Sequence, residues 1–371
     1  MPQDVCYLFL DEIQYLRDWE THVKALVDSH TSLKCIVSGS AAAALRLKSS
    51  ESGAGRFTDF MLPPLTFHEY TELLGKSELV SVDFGVGGYV KSINSPNIEK
   101  FNEHFVSYLN YGGYPELALS EEVRSDPARF IKSDIIDKVL LRDLPSLYGI
   151  QDIQELNYLF TTLAFNTANE VSLDDLSQGS GVSKTTIKRY IEYLEAAFLI
   201  RTIHRVDRSA RRFQRANFFK VYLTNPSMRA ALFSPVNADD EAMGNLVETA
   251  IFSQWFHSDT QLHYARWQNG EVDMVCLGPD QKVAWAIEVK WSDRYFDRVG
   301  ELRSLIKFCH AQNLSKAMVT TRTKKGIKAI NSVTYDYIPS SLYCYMLGFN
   351  LVRGRHIFEG LVEPTNKLAN I

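Results

Sequence analysis

Long apolar runs, a leader segment and paired cysteines are all missing from this sequence of 371 residues. No run approaches the roughly 20 apolar residues that a membrane helix requires. The first residues, Met1-Pro2-Gln3-Asp4, show no basic region ahead of an apolar one, so a secretory signal is not expected. The five cysteines have no paired spacing, which argues against a zinc site or a disulfide framework. These absences predict a cytoplasmic protein that contacts no membrane.

A large excess of charge of either sign is also missing, since the formal net charge is −4. Hydrophobic residues make up 45% and charged residues 23% of the chain, which is ordinary for a globular protein. The length suits roughly two to four domains. Residues 184–220 depart from this balance, because they contain ten Lys or Arg against three Asp or Glu. That excess predicts a local basic surface.

The N-terminal part alternates between apolar runs and a helical pattern. Residues 5–10 are a continuous apolar run that ends in Asp11-Glu12 and predicts a parallel strand buried on both faces. Residues 19–28 have helical spacing, and residues 33–37 predict a second buried strand that ends in Ser38. Strand, helix and strand in this order are half of an α/β nucleotide-binding fold.

Two acids directly after a buried strand lie where parallel sheets bind ligands. Asp11 could hold a Mg²⁺ ion through its water, and Glu12 could polarise an attacking water. The alternative is a strand that simply ends in solvated acids, and the order of the neighbouring motifs argues against it. Those motifs are residues 8–14, residues 37–40, and Gly55-Arg56 ahead of residues 62–70.

That series resembles a family of prokaryotic AAA-type ATPases whose C-terminal part is domain of unknown function 4143. The resemblance extends over nearly the whole chain. It implies that Asp11 and Glu12 are Walker B acids, Asp11 as a metal ligand and Glu12 as a catalytic residue. Ser38 and Ser40 would lie in the sensor strand, and Arg56 in a conserved Gly-Arg step. The nucleotide contacts implied are Asp11, Glu12, Ser38 and Arg56.

The phosphate-binding loop of that family has no counterpart in the sequence. The pattern Gly-x-x-x-x-Gly-Lys-Ser/Thr should precede the Walker B strand, because its backbone amides and lysine hold the phosphates. Only ten residues precede Asp11, and none of them matches. The chain is therefore expected to be cut off or naturally shortened. ATP is expected as a cofactor only if missing N-terminal sequence supplies the loop.

A helix-turn-helix is predicted in the middle of the chain. Residues 173–176 form a short helix, residues 179–182 a turn, and Ser183 caps a second helix over residues 184–198. The apolar side chains of the second helix share one stripe. They are Ile187, Ile191, Leu194 and Phe198.

The outer face of that second helix is basic, and an arginine-rich stretch follows where a winged helix has its β-wing. The helix residues are Lys184, Thr185, Lys188 and Arg189, and the arginines are Arg201, Arg205, Arg208, Arg211, Arg212 and Arg215. One interpretation is contact with DNA phosphates, above all through Lys184, Lys188, Arg189, Arg211 and Arg212. The other, equally open, is a helical scaffold with a solvated basic face.

A hairpin in the C-terminal part carries the clearest chemistry. Two strands, residues 271–277 and 283–291, flank a turn at residues 278–282. If the turn is the four residues Pro279 to Lys282, Asp273 lies directly opposite Glu288, and alternation puts Asp273 on the face of Val275 and Leu277.

A lysine and a third acid complete this set. Lys290 shares a strand face with Glu288, and Glu248 comes from a preceding helix over residues 243–256. Asp273 and Glu288 would bind Mg²⁺ or Mn²⁺, and Lys290 would position a water or neutralise the phosphate in phosphodiester cleavage. Glu248 would orient a metal-bound water or hold a second ion.

The order Glu, Asp, Glu-x-Lys resembles the PD-(D/E)XK nuclease superfamily, which implies that Glu248, Asp273, Glu288 and Lys290 are catalytic. The alternative is an exposed cross-strand pair beside a turn-capping acid. The predicted fold is α/β, with four segments: a partial AAA-type parallel sheet, a helical segment, a winged helix and a restriction-endonuclease-like domain. Their bounds are 1–75, 76–160, 161–235 and 236–371.

Three functions follow from this organisation. The first is a metal-dependent DNA nuclease coupled to an ATPase. The second is an ATPase-linked regulator that binds DNA or protein and has an idle nuclease fold. The third is a pseudo-enzyme or fragment that works only in complex with another chain, and either a homo-oligomer or a partner protein is possible.

Overall fold

A computed structural model of the chain describes residues 5–39, 57–58, 62–85, 90–211, 217–258 and 260–352. The predictions made for Ser40, Arg56, Arg212 and Arg215 fall outside these residues. Within them the fold is α/β, as predicted, with a mixed sheet and many helices. None of the described helices is long and apolar enough to cross a membrane.

The strands form three sheets in the described part of the chain. Their bounds are β1 Cys6–Leu10, β2 Leu33–Val37, β3 Ser81–Phe84, β4 Val90–Asn94, β5 Glu170–Ser172, β6 Ile200–Val206, β7 Phe218–Leu223, β8 Leu262–Trp267, β9 Gly270–Leu277, β10 Val283–Glu288, β11 Lys316–Thr321, β12 Gly326–Ile330 and β13 Val333–Pro339. β1 pairs with β2 and β3 with β4. The other strands form one nine-stranded sheet in the order β12-β13-β11-β10-β9-β8-β6-β7-β5.

The helices lie between and after these strands. Their bounds are α1 Trp19–Ser29, α2 Phe67–Leu73, α3 Ile98–Tyr111, α4 Pro115–Leu119, α5 Glu121–Ser125, α6 Leu144–Tyr148, α7 Ile153–Phe165, α8 Leu173–Ser180, α9 Lys184–Ala196, α10 Ser227–Leu232, α11 Met243–Gln254, α12 Arg294–Asp297, α13 Arg303–Gln312 and α14 Ser340–Val352. Two π-helical segments, Ala128–Asp137 and Val139–Asp143, precede α6, and short 3₁₀ helices lie at Ile13–Tyr15, Ser77–Leu79, Trp255–His257 and Val299–Glu301.

The first sheet keeps the predicted order of strand, helix and strand, and β1 and β2 are parallel. α1 covers one side of it through the buried Trp19 and Val23, which pack with Leu10. The prediction that both faces of β1 are buried is wrong. Tyr7 and Phe9 alternate with Leu10 and point away from α1, and their exposed fractions are 62% and 70%. β2 likewise alternates between half-buried and exposed residues.

The predicted helix-turn-helix corresponds to α8 and α9, which the hairpin β6–β7 follows. Gly181 ends α8 with a φ of 73°, a left-handed conformation that favours glycine. Ser183 caps α9 by accepting a hydrogen bond from the amide of Thr186. α8 is longer than predicted and extends to Ser180. Phe198 lies beyond the end of α9 rather than in its apolar stripe.

The nine-stranded sheet joins the middle of the chain to its C-terminal part. β6 pairs in parallel with β8, from His204 opposite His263 to Val206 opposite Ala265. The strands that follow the helix-turn-helix therefore belong to the same sheet as the predicted nuclease-like hairpin, now β9–β10.

Hydrophobic clusters cover both faces of the central strands of that sheet. One cluster contains Ile251 of α11 and Leu347 of α14 together with Met274 of β9. Another contains Leu305 of α13 together with Val275 of β9. Because both faces are covered, β9 and β10 are apolar over most of their length, as expected of central strands.

Candidate functional site

The β9–β10 pairing aligns the two acids that the sequence placed opposite each other. Ile287 stands opposite Met274, so the next residues of the two strands, Glu288 and Asp273, are cross-strand neighbours. The predicted four-residue turn is wrong, because Leu277 pairs with Val283 across a turn of five residues. An irregularity at the start of β10 then restores the alignment.

β9 also carries a bulge at Asp273. In the pairing with β8, His263 stands opposite Val275 while Ala265 stands opposite Val272, so Asp273 and one further residue of β9 face a single residue of β8. The prediction that Asp273 shares a face with Val275 is wrong, because the bulge interrupts the alternation. Val275 packs in the cluster of α13, whereas Asp273 approaches a lysine that contacts an acid of α11.

Lys290 connects the two acids. Its Nζ lies 2.8 Å from Glu288 Oε1 and 3.2 Å from Asp273 Oδ2. The amide of Val289 also donates to Asp273 Oδ2, at 2.8 Å. Thr320 of β11 fixes the backbone of Lys290 by accepting from its amide at 2.8 Å and donating to its carbonyl at 3.0 Å. Three of the four predicted residues therefore lie together at one end of the hairpin.

The fourth predicted residue, Glu248 of α11, is held by a lysine of β7. Lys220 Nζ lies 2.9 Å from Glu248 Oε1, 2.7 Å from Glu271 Oε1 and 3.9 Å from Asp273 Oδ1. The hydroxyl of Tyr222 donates to the same Glu248 oxygen at 2.6 Å. The inclusion of Lys220 in a basic surface is wrong, since its exposed fraction is 2%. The sequence does contain a signal for this burial: Lys220 is a lone lysine in the apolar run of β7, and a buried charge requires a partner.

Six side chains thus form what we name the acid–lysine cluster: Glu248, Glu271, Asp273, Glu288, Lys220 and Lys290. Glu271 links it to a second row of charges, which was not predicted. Arg266 Nη1 lies 2.5 Å from Glu271 Oε2, and Arg266 Nε lies 3.4 Å from Glu170 Oε1. The hydroxyl of Tyr264 donates to Glu170 Oε2 at 2.6 Å, and Arg205 Nη1 lies 3.7 Å from that oxygen.

Burial and neighbouring charge act in opposite directions on the acids. Burial raises the pKa of Glu248 to about 7 against the opposing effect of Lys220. Burial also raises the pKa of Glu288 to about 7, and the nearby Asp273 adds to the shift. Burial alone would raise the pKa of Asp273, but Lys290, Lys220 and the Val289 amide outweigh it and hold that pKa below its usual value. Asp273 is therefore ionised at neutral pH, whereas Glu248 and Glu288 titrate near neutrality.

Carboxylate oxygens are ligands that suit Mg²⁺ and Mn²⁺. In the described ranges, no group of three or more His, Cys, Asp or Glu is arranged so that it could hold a metal ion. The ammonium of Lys220 engages two acids of the cluster, Glu248 and Glu271. Asp273 and Glu288 do fit a two-carboxylate site. The Oε2 atom of Glu288 is buried and has no hydrogen-bond partner among the described residues.

The strand-end acids, Asp11 and Glu12, lie in a different environment. Ser38 Oγ donates to Asp11 Oδ1 at 2.6 Å, so the ends of β1 and β2 meet as predicted. Glu12 has a left-handed φ of 51° and accepts hydrogen bonds from Lys138 at 2.8 Å and Gln14 at 2.6 Å. Asp11 and Ser38 are therefore brought together, while Glu12 is paired with a lysine of the helical segment.

The residues predicted to contact nucleic acid fall into two groups. Lys188, Arg189 and Arg211 are exposed. Lys184 forms an ion pair with Asp174 of α8. The free basic face of α9 is therefore smaller than the sequence predicted.

A cleft of about 900 Å³ lies between α9, β6 and α11. Lys188 and Arg201 line it together with aromatic residues, and the Arg201 guanidinium lies 5.8 Å from the ring centre of Phe256. Arg205 lines the cleft as well, and its guanidinium also contacts Glu170. A row of alternating charges therefore leads from this cleft to the acid–lysine cluster.

Comparison with known proteins supports one part of the sequence prediction. A family described as "AAA domain" matches residues 1–71, which confirms the AAA-type relation for that segment. A family described as "Domain of unknown function (DUF8612)" matches residues 102–240. The predicted relation of the C-terminal part to domain of unknown function 4143 and to nucleases stays a prediction. No solved structure shows a significant match.

Several proteins of similar sequence are each described as an uncharacterized protein. One from Methanocaldococcus jannaschii is 24% identical over 281 residues, which cover 74% of this chain and 59% of that protein. One from Haemophilus influenzae is 22% identical over 285 residues, which cover 75% of this chain and 64% of that protein. A second M. jannaschii protein is 23% identical, with coverage of 66% and 52%. The matched region therefore spans between half and two thirds of these relatives.

Proposed function

We propose that the acid–lysine cluster is a metal-dependent site for phosphodiester cleavage in DNA, in a protein related to AAA-type ATPases. The observation that carries the proposal is the convergence of Asp273, Glu288 and Lys290, with Glu288 Oε2 buried beside them and lacking a hydrogen-bond partner among the described residues. An unpartnered buried carboxylate oxygen is costly unless a cation or a proton joins it.

The residues of the cluster have different roles in this proposal. Asp273 and Glu288 would hold a Mg²⁺ or Mn²⁺ ion, with the carbonyl of Val289 as a further donor. When bound, that ion would supply a hydroxide at neutral pH and stabilise developing negative charge. Lys290 would neutralise the scissile phosphate, since its ammonium is already held beside both carboxylates. Glu248 shares its Oε1 between Lys220 and Tyr222, so its role is to fix the inner side of the site.

The DNA would approach over the exposed basic residues Lys188, Arg189 and Arg211 and the cleft beside α9. Phosphate contacts by Lys and Arg supply affinity that does not depend on sequence. The row from Arg205 through Glu170 and Arg266 to Glu271 leads from that cleft to the cleavage site.

The experiment is a cleavage assay on single-stranded and duplex DNA with Mn²⁺, paired with Mn²⁺ binding by calorimetry. The wild-type chain should bind Mn²⁺ and cleave. Asp273→Asn should lower the Mn²⁺ affinity by more than about 10–100-fold, which is the usual effect of changing a residue that only supports a metal ligand, and it should abolish cleavage. Asp280→Asn in the exposed turn of the same hairpin is the matched control, since the same substitution at an acid outside the cluster should change neither. A wild-type chain that binds no Mn²⁺ would refute the proposal.

A second candidate is a regulator with an idle nuclease fold that binds DNA or protein. It is favoured by the two lysines, which by themselves compensate much of the acidic charge. Mn²⁺ binding without cleavage of either DNA form would select this candidate. ATP hydrolysis is not proposed for this chain alone, because its sequence contains no phosphate-binding loop.

A further inference from the structure

The acid–lysine cluster is divided into two halves that differ in how tightly their lysine is held. In the inner half, Lys220 contacts Glu248 and Glu271, and its side chain is 3% exposed. In the outer half, Lys290 contacts Asp273 and Glu288, and its side chain is 24% exposed. The two halves meet at Asp273, whose Oδ1 faces Lys220 and whose Oδ2 faces Lys290.

The inner lysine has no path away from its acids. Lys220 extends from the strand β7, which is paired on both sides, by β6 and by β5. Its Nζ lies 5.5 Å from the ring centre of Tyr264, and Tyr222 donates to the same Glu248 oxygen that Lys220 contacts. An ammonium enclosed in this way cannot leave without exposing several buried carboxylates to one another.

The outer half is different. Lys290 lies two residues beyond the end of β10, and because its side chain is partly exposed it has room to turn outward. The unpartnered Glu288 Oε2 also lies in this half. An arriving cation can therefore replace the Lys290 contacts, but not those of Lys220.

We infer that Lys220 is a built-in cation that occupies the place of a second metal ion, so that the cluster binds a single divalent ion, at Asp273 and Glu288. Lys220 is thus a positioning residue: it neutralises Glu248 and Glu271 and holds Asp273 from the inner side. This inference rests on the proposed metal site, and it fixes the number of ions that the site takes.

The test is the number of Mn²⁺ ions bound per chain, measured by equilibrium dialysis with electron paramagnetic resonance of free Mn²⁺, at a pH above 8 where the acids are ionised. The wild-type chain should bind one ion, and Glu288→Gln should bind none. Two ions in the wild type would overturn the inference and leave the proposed function standing. No ion in the wild type would refute the proposed function itself.

Two variants test the role of the inner half. Lys220→Met should admit a second ion, because it frees Glu248 and Glu271, and Lys282→Met in the exposed turn should not. Continued binding of one ion by a folded Lys220→Met chain would overturn the inference. If Lys220→Met does not fold, Glu271→Gln tests whether the inner half binds the metal. It should leave the Mn²⁺ affinity within about twofold, and a loss of tenfold or more would show that the inner half does bind the metal.

Discussion

Two pairs of acids in this chain lie in or directly after apolar strands, and they meet different surroundings. Asp11 and Glu12 end β1 in a two-stranded sheet whose outer face is open to solvent. Asp273 and Glu288 lie in the middle of a nine-stranded sheet with helices on both faces, and both are buried. The side chain of Lys138, which contacts Glu12, is 38% exposed. The side chain of Lys220, which lies between Asp273 and Glu248, is 3% exposed.

Acidic side chains therefore acquire unusual chemistry from the elements that cover them. The pKa values of Glu248 and Glu288 are raised to about 7 because burial penalises their charged forms. Buried acids with such pKa values are found at functional sites more often than elsewhere. The local sequence, acids in or directly after an apolar run, is similar in the two regions and does not reveal how deeply the acids are buried.

The largest expected difference concerns stability. Lys220→Met should lower the free energy of unfolding by about 3–5 kcal/mol, because it leaves buried carboxylates without their cation. The same substitution in the other region, Lys138→Met, should cost at most about 1 kcal/mol, since the Lys138–Glu12 pair is partly exposed. Urea unfolding of both variants measures this. Equal losses would mean that the two regions are energetically alike.

The next effect is on catalysis. Lys290→Ala should lower the rate of DNA cleavage by about 10²–10³-fold, the usual effect of removing one group that stabilises transition-state charge. Its Mn²⁺ affinity should not fall, because both carboxylates remain. Lys282→Ala, in the exposed turn of the same hairpin, is the control and should cleave at the wild-type rate. A parallel loss of Mn²⁺ binding would instead make Lys290 a structural support.

A smaller effect is expected from pH. Protons compete with Mn²⁺ for Glu288, whose pKa is raised to about 7. The Mn²⁺ affinity should therefore fall by about tenfold per pH unit as the pH drops below 7, and level off above about 8. Calorimetry at a series of pH values measures this. An affinity that is constant from pH 5.5 to 8 would exclude Glu288 as a ligand.

The smallest effect concerns DNA affinity. Lys188→Glu combined with Arg211→Glu should weaken duplex binding for all sequences alike. It should also reduce the slope of log affinity against log salt by about 0.9 for each phosphate that the variant no longer neutralises. Lys184→Glu should change the slope less, because Lys184 is already paired with Asp174. Equal slopes for the double variant and the wild type would show that the basic face is merely solvated.

Much of the architecture was accessible from local pattern. The capping serine at Ser183, the parallel pair β1–β2 and the apolar strands β9 and β10 all depend on interactions within a few residues or on hydrophobic periodicity. The prediction that Asp273 and Glu288 are neighbours was also right, but the assumed turn was wrong, and an irregularity in β10 made up the difference.

What the sequence determined by itself was the set of residue types: three acids and a lysine, in an order that resembles a nuclease and predicts its chemistry. What only the tertiary structure decided was which charges meet. Lys220 comes from β7, 28 residues before Glu248, and no local pattern links it to that helix. The bulge at Asp273 and the covering of both sheet faces depend on strands and helices far apart in the chain. A charge in the sequence becomes a buried partner only when distant elements exclude water around it, and that is a property of the packed fold.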